Sequence, residues 1–250
     1  MTLPTIHLLN TQIHNLSFQE TLEYIQQHIV KKKQLHHTVV NAGKIVQMQS
    51  NPALRESVNS ADLINADGQA VVWASRFLKK PLKERVAGVD LMHSCVEMAA
   101  ENNYTIYLFG ATQEVVENLV HKYKTTYGSH VLAGYRNGYF NEDEEQQIVE
   151  DIKQAKPQML FVAMPSPRKE NFLYMHRDAL KQVNFIMGVG GSFDVFAGKT
   201  KRAPQWMQNA GLEWFYRFLQ EPKRMWKRYL IGNSKFVYLV LKEKLFPSHK

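Results

Sequence analysis

Short β-branched or aromatic runs alternating with longer helical patterns predict an α/β fold: a Rossmann-like, largely parallel sheet with helices on both faces, plus a helical C-terminal appendage. Three observations carry this. The alternation itself requires crossover connections. Near-continuous apolar runs such as "MLFVAM" fit strands covered on both sides. From about residue 203 the strand signal ends and only helical pattern remains. In order, strands are expected at TIHLLN (5–10), TVVNA (38–42), LINAD (63–67), TIYLFG (105–110), VLAGY (131–135), MLFVAM (159–164) and NFIMGVG (184–190). Helices are expected near 17–31, 42–58, 68–78, 90–102, 112–126, 142–155 and 168–181. No Ser/Gly/Pro linker divides the chain, so the reading is an α/β body over 1–202 and an appendage over 203–250.

Composition narrows the function classes. The 250 residues are of ordinary globular composition, without repeat or low-complexity tract. No apolar run reaches the roughly 18–20 residues that span a bilayer. The start, "MTLPTIHLLNTQIHN", lacks a basic region followed by an apolar one, so no secretory signal is expected. The single cysteine, Cys95, lies in a helical pattern and reads as a core residue; one thiol excludes an internal disulfide and fits a reducing compartment. The net charge of +8 is uneven: residues 195–250 hold 12 Lys/Arg against 3 Asp/Glu, or +9, which leaves −1 for the rest. A basic tail on a neutral body suggests a polyanionic or membrane partner.

In a doubly wound sheet, ligands bind beyond the carboxyl ends of the strands. Four expected strand ends carry suggestive residues. Asn41 leaves one in "VVNAGK". Asp67 and Gly68 end another in "NADG"; Asp67 reads either as a general base or as the N-cap of the next helix. In "VAMPSPRKENF", Ser166 and Pro167 look like an N-cap and first helical position, which puts Arg168 and Lys169 in a first turn where the dipole disfavours cations. Either an anionic ligand resolves that conflict or the two are solvated surface cations. In "GVGGSFDVFAGKTKRAP", Gly188, Gly190 and Gly191 let backbone amides approach a phosphate or nucleotide ring, Asp194 can accept from a ribose or base, and Lys201 and Arg202 follow. The histidines lack paired zinc-ligand spacing, and neither a P-loop, a Gly-x-Ser-x-Gly elbow nor an Asp-x-Asp pair is present, so no cofactor or metal is expected. The acidic run "NEDEEQQ" (141–147) reads as a capped first helical turn.

In the tail, Pro222 suits the start of a short helix and Gly232 the position after its end. At about 100° per residue, Lys223, Arg224, Lys227 and Arg228 fill one arc and Met225, Trp226, Tyr229 and Leu230 the other. Either the apolar arc docks on the protein, or the segment meets an anionic membrane surface, with Trp214, Phe215, Tyr216, Phe218 and Phe236 adding interfacial area. Self-association is the alternative fate for these aromatics. No RNA- or DNA-binding motif is visible, and nucleic acid is not expected as a partner.

Taken together, "NADG" (65–68), "ERVAGVDLM" (84–92), "LFGAT" (108–112), "MPSPRKENF" (164–172) and "GVGGSFDVFAGKTKRAPQWMQNAGLEWFYRFLQEP" (188–222) resemble the WecG/TagA/CpsF family of bacterial glycosyltransferases. The resemblance implies an inverting, metal-independent transfer from a UDP-sugar to a polyprenyl-diphosphate-linked saccharide at the cytoplasmic face of the membrane. It implies Asp67 as base, Arg85 and Asp90 at the substrate, the Gly188–Asp194 segment at the nucleotide, and Gly110, Pro165, Lys169 and Glu170 within matching motifs. It links the appendage to membrane targeting and gives its arginines, here Arg224 and Arg228, a part in closing the site; with Arg202 they would stabilise the leaving diphosphate. Two positions depart from the family pattern. Val39 stands where many members carry Thr, with Thr38 one position off and turned to the other strand face. Lys169 stands where many carry Gln. The rival reading is a non-catalytic nucleotide-sugar-binding module of a membrane-bound polysaccharide assembly complex.

Overall fold

Leu9 and Asn10 both adopt positive φ (50° and 58°), which is what a two-residue type I′ turn requires. They join β1 (Thr5–Leu8) to β2 (Thr11–His14) as an antiparallel hairpin. The sequence reading has one strand here, because Leu-Asn lacks the glycine that usually marks such a turn. The computed structural model describes residues 3–246, apart from the side chains of Arg224, Lys227 and Arg228.

The main sheet has six strands in the order β4-β3-β8-β7-β5-β6, all parallel. They are β3 (Leu35–Val40), β4 (Leu63–Ala66), β5 (Ile106–Gly110), β6 (Leu132–Arg136), β7 (Met159–Ala163) and β8 (Phe185–Gly188). Every residue of β4, β5, β7 and β8 is buried, which explains their largely apolar sequences; Asn65 of β4 bonds His37 and Thr21. Alternation divides them between two faces. Leu108, Phe161, Phe185 and Met187 pack with α1 (Phe18–Val30), α5 (Gly88–Glu101) and α6 (Gln113–Tyr127). Phe109, Leu160, Val162 and Ile186 pack on the other side with α7 (Glu145–Ala155) and α8 (Arg168–Met175). Cys95 is fully buried in the first of these layers, as the helical pattern suggested.

Two expected helices change. The 42–58 stretch is two helices, α2 (Ala42–Ser50) and α3 (Pro52–Asn59), because Asn51 ends the first and caps the second, with its Oδ1 accepting from the Leu54 amide at 3.0 Å and Pro52 at the helix start. The expected helix 168–181 stops at Met175. At the acidic run, Glu144 accepts from the Asn141 amide at 2.8 Å and a 3-10 turn leads into α7, as expected of a capped turn.

Beyond residue 203 the regular elements among the described residues are all helical: α10 (Gln205–Asn209), α11 (Glu213–Gln220), α12 (Pro222–Trp226), a π turn (Lys227–Ile231) and α13 (Gly232–Leu245). Gly232 therefore does not end the helix that Pro222 starts. Its φ and ψ (−65°, −47°) are helical, and the π turn carries the chain straight into α13. Met225 is buried while Trp226 and Leu230 are exposed, so the apolar arc does not dock as a unit. Phe236, expected at an interface, is instead buried with Val240 against α2, where the body's own apolar face covers it. Among the described residues, no helix is long and apolar enough to cross a membrane.

At the opposite pole of β3, His36 and His37 are buried, and burial lowers their pKa values to about 4 and about 3. Both are neutral when folded but titrate near 6.5 when unfolded, so their contribution is intact above pH 6.5 and is lost as pH falls towards 4. At pH 5 each costs about 2 kcal/mol. The melting temperature should fall sharply between pH 7 and pH 5, less so in His36→Gln; equal values at the two pH values would refute this account.

Candidate active site

The crest above the carboxyl ends of β3, β4 and β8 collects most of the singled-out residues. Asn41 leaves β3 and caps α2, its Oδ1 accepting from the Lys44 amide at 3.0 Å. Asp67 leaves β4, its amide donating to Val40 O at 2.9 Å. A side chain at Gly68 would bring a Cβ within 3.2 Å of Asn41 Cβ, so the two strand exits touch only because Gly68 is bare. Asp67 does not cap the following α4 (Gln69–Phe77); Gly68 holds that position without a side-chain bond. Its Oδ1 instead accepts from the Gly88 amide at 2.9 Å, at the N-terminus of α5. Asp67 is half-buried. Enclosure by protein raises its pKa, against the Gly88 hydrogen bond and Arg85, which lower it. A carboxylate so placed is more basic than a surface aspartate.

Arg85 and Asp90 flank the same helix start, and both are tied to the chain beyond residue 200. Arg85 Nη1 lies 3.0 Å from Glu213 Oε2, and Arg202 Nε lies 3.2 Å from Glu213 Oε1. Arg202 also holds Asp90 through both terminal nitrogens, Nη2 to Oδ2 at 2.8 Å. The run Arg85–Glu213–Arg202–Asp90 is one continuous ion-pair chain. Arg202 is thus not the uncommitted cation that the sequence reading placed at a diphosphate, because two carboxylates already neutralise it. Glu213 in turn acts on Asp67, raising its pKa, so the first turn of α11 is electrostatically coupled to the Asp67 carboxylate.

At the glycine turn, Gly190 adopts φ +53° with open space around it, and α9 (Ser192–Phe196) follows. A Cβ on Gly191 would lie 3.0 Å from Arg217 Nη2 and 3.9 Å from Asp194 Oδ2. Arg217, on α11, therefore reaches over the glycines beside Asp194, and its Nε is buried without a partner. Sequence reasoning missed Arg217; its signal was one cation in an otherwise aromatic helix, "EWFYRFLQ". Missed too were Glu213 and Lys44.

A third cluster lies beneath the crest. Glu170 Oε1 accepts from Lys44 Nζ at 2.8 Å and from Lys169 Nζ at 2.6 Å, with all three side chains nearly inaccessible. Lys44 also donates to Val39 O at 2.7 Å. The Lys169 stem lies where a Cβ on Gly188 would be, 2.6 Å from Cε, so Gly188 is bare to seat a lysine. Burial would raise the Glu170 pKa, yet the two ammonium groups hold it well below the ordinary carboxylate range; burial and Lys44 bring Lys169 down to about 8. Replacing Glu170 with Ala strands two buried cations and should cost about 3–5 kcal/mol, read as a lowered urea midpoint; an unchanged midpoint would remove the cluster from the fold's support.

The helix bearing Lys169 starts later than expected. Pro167, not Ser166, is the N-cap of α8, and the Ser166 Oγ is buried without a partner. Arg168 stacks on Phe140, 4.0 Å from the ring centroid, and donates to Phe140 O at 2.9 Å, so it is not merely a solvated surface cation. Gly110 (φ +128°) ends β5 where a Cβ would lie 2.3 Å from Ala163 O. It thereby brings the β5 exit against β7, next to exposed Pro165. The side chains of Arg224 and Arg228 lie outside the described residues. Among the described residues, no group of three His, Cys, Asp or Glu side chains could hold a metal ion.

The sequence model of the Glycosyl transferase WecG/TagA/CpsF family matches residues 6–250. The chain belongs to the WecG/TagA/CpsF family of glycosyltransferases. It is similar to the N-acetylglucosaminyldiphosphoundecaprenol N-acetyl-beta-D-mannosaminyltransferase of Bacillus subtilis (strain 168), at 33% identity over 98% of this chain and 93% of that protein. The protein of the same description from Bacillus spizizenii is 35% identical over 79% of this chain and 75% of its own length. That of Staphylococcus aureus (strain MW2) is 34% identical over 96% and 93%. The chain is a glycosyltransferase, and its departures from the family pattern can be placed. Val39 turns its methyl groups towards Gly88, 3.7 Å from a Cβ there, while Thr38 is buried. An apolar group thus stands beside the start of α5 where many members offer a hydroxyl.

Proposed function

We propose that this glycosyltransferase moves an N-acetylhexosaminyl group, by inversion, from a UDP-sugar to a saccharide carried on a polyprenyl diphosphate, without a metal ion, at the cytoplasmic face of the membrane. The observation that carries the reading is the meeting of Asp67 with α11. Glu213 of α11 acts electrostatically on Asp67 and pairs with Arg85, and Arg217 of the same helix reaches the glycine turn beside Asp194. The acceptor hydroxyl attacks the anomeric carbon while the bond to UDP breaks on the opposite side. Asp67 takes the hydroxyl proton, and the departing diphosphate keeps the bonding pair. Backbone amides at Gly190 and Gly191 and the Arg217 guanidinium supply positive potential where that charge develops. Asn41 and the Lys44–Glu170–Lys169 cluster form the floor. Residues 203–250 act as an appendage that both completes the cleft and lays exposed aromatics and cations against anionic lipid.

The named relatives support this sugar and this acceptor: their activity joins N-acetyl-beta-D-mannosamine to N-acetylglucosaminyldiphosphoundecaprenol. A β product from an α-linked nucleotide sugar is an inversion. The test is a panel of UDP-sugars with N-acetylglucosamine on a short isoprenoid diphosphate, read as UDP release and anomeric configuration by NMR. Transfer from UDP-N-acetylmannosamine with a β product, undiminished by EDTA, is expected. A retained configuration, or activity lost to EDTA and restored by magnesium, would refute the corresponding part.

A further inference from the structure

The outward face of α4 runs directly away from Asp67 and has no part in the chemistry above. Gln69, Trp73, Arg76 and Phe77 lie on one stripe of this helix by their i, i+4, i+7 and i+8 spacing. The inward residues Val71, Val72, Ala74 and Ser75 are buried, so packing fixes which face is outward. Trp73 and Phe77 are 51% and 49% exposed, an unusual expenditure of two large aromatics on a short helix. Arg76 is exposed between them and makes no ion pair among the described residues.

The stripe is bordered at both ends by the appendage. Gly211, in the turn between α10 and α11, has φ +72°, and a Cβ there would lie 2.8 Å from Gln69 Cγ and 3.2 Å from Trp73 Cζ2. At the other end Lys244 of α13 donates to Phe77 O at 2.9 Å, with its ammonium 5.2 Å from the Phe77 ring centroid. Reading outward from the catalytic carboxylate, the order is aromatic (Trp73), cation (Arg76), aromatic (Phe77), with a second cation (Lys244) over the last ring. From Gln69 to Phe77 the helix rises about 12 Å, the span of a hexose ring followed by a diphosphate.

We infer that this face of α4 is the track for the lipid-linked acceptor: Trp73 lies against the acceptor sugar ring, Arg76 and Lys244 face its diphosphate, and Phe77 meets the first isoprene unit. The inference rests on the acceptor class given under Proposed function. Three features favour this occupant. The stripe is continuous with the base that must receive the acceptor hydroxyl. Its order of apolar and positive groups follows the order sugar, diphosphate, isoprenoid. Its cations match the charge of the only anionic part of such an acceptor.

The test measures kinetics of the full chain in detergent with N-acetylglucosamine on a short isoprenoid diphosphate, and with a simple N-acetylglucosamine glycoside that lacks both diphosphate and isoprenoid. Trp73→Ala and Arg76→Ala should each raise the KM for the lipid-linked acceptor about tenfold and leave the KM for the UDP-sugar as it was. The Arg76→Ala effect should vanish on the simple glycoside, and Arg76→Lys should recover part of it. An unchanged acceptor KM in both alanine variants overturns the track and leaves the glycosyltransferase reading standing, because the wild type turns over in the same assay. Weaker binding of the variants to anionic phospholipid vesicles with unchanged acceptor KM in detergent overturns it too, by assigning the stripe to the bilayer. A wild type that transfers to no diphosphate-linked sugar overturns the acceptor class itself, and the track with it.

Discussion

Asp67→Asn should lower turnover by roughly 10²–10⁴-fold, the scale of a lost general base, with UDP binding nearly intact. The amide keeps the side-chain oxygen that accepts from Gly88, so α5 stays in place and only the proton acceptor is lost. The pH profile makes the test sharper. Enclosure raises the Asp67 pKa, so the base is ionised above that value and the rate falls as pH drops through it. The acidic limb should therefore lie above the ordinary aspartate range near 3.9, and it should disappear from the residual activity of Asp67→Asn. Turnover equal to wild type, or an acidic limb that persists unchanged in the variant, would remove Asp67 from this role.

Arg217→Ala should be the next most damaging single change, lowering transfer by about 10²–10³-fold, the loss that accompanies removal of one donor aimed at developing charge. Its guanidinium lies over Gly191 beside Asp194, and its unpartnered Nε leaves a buried donor that an anion would satisfy. Because Arg217 carries no ion pair among the described residues, the melting temperature should move little. Arg217→Lys should recover only part of the rate, since an ammonium cannot present a planar fork to a phosphate. Equal activity of Arg217→Ala would place the leaving-group cation elsewhere. Removing residues 203–250 altogether should also abolish transfer, but it discriminates less. It uncovers the α2 surface that Phe236 and Val240 bury and breaks the Arg85–Glu213–Arg202 chain at once.

The strands were legible because a fully covered parallel strand must be apolar along its whole length, and "MLFVAM" cannot be read otherwise. The β1–β2 hairpin was not, since Leu9 and Asn10 reach positive φ without glycine. The break at Asn51-Pro52 was readable as a cap and a first helical proline, yet the hydrophobic pattern continued across it. The glycine turn was marked by its spacing, while Lys44, Glu213 and Arg217 were not, because nothing local marks a charged side chain as belonging to a distant turn. Arg202 illustrates the converse: its place after the glycine turn suggested a cation for the diphosphate, and Asp90, 112 positions away, binds it.

By itself the sequence determined the fold class, the chain's placement among glycosyltransferases, the helical character of everything beyond residue 203 and the candidacy of Asp67, since periodicity, capping and motif spacing are properties of neighbouring residues. The tertiary structure decided that Asp67 bonds Gly88 rather than capping α4, that Gly232 lies within a helix, and that Phe236 is core. It also set the ion pairs among Arg85, Glu213, Arg202 and Asp90. These outcomes depend on which surfaces remain uncovered once the sheet and helices have packed, and on the partner each charge finds across that space. Coulombic and packing terms act between positions near in space, and no local pattern encodes that proximity.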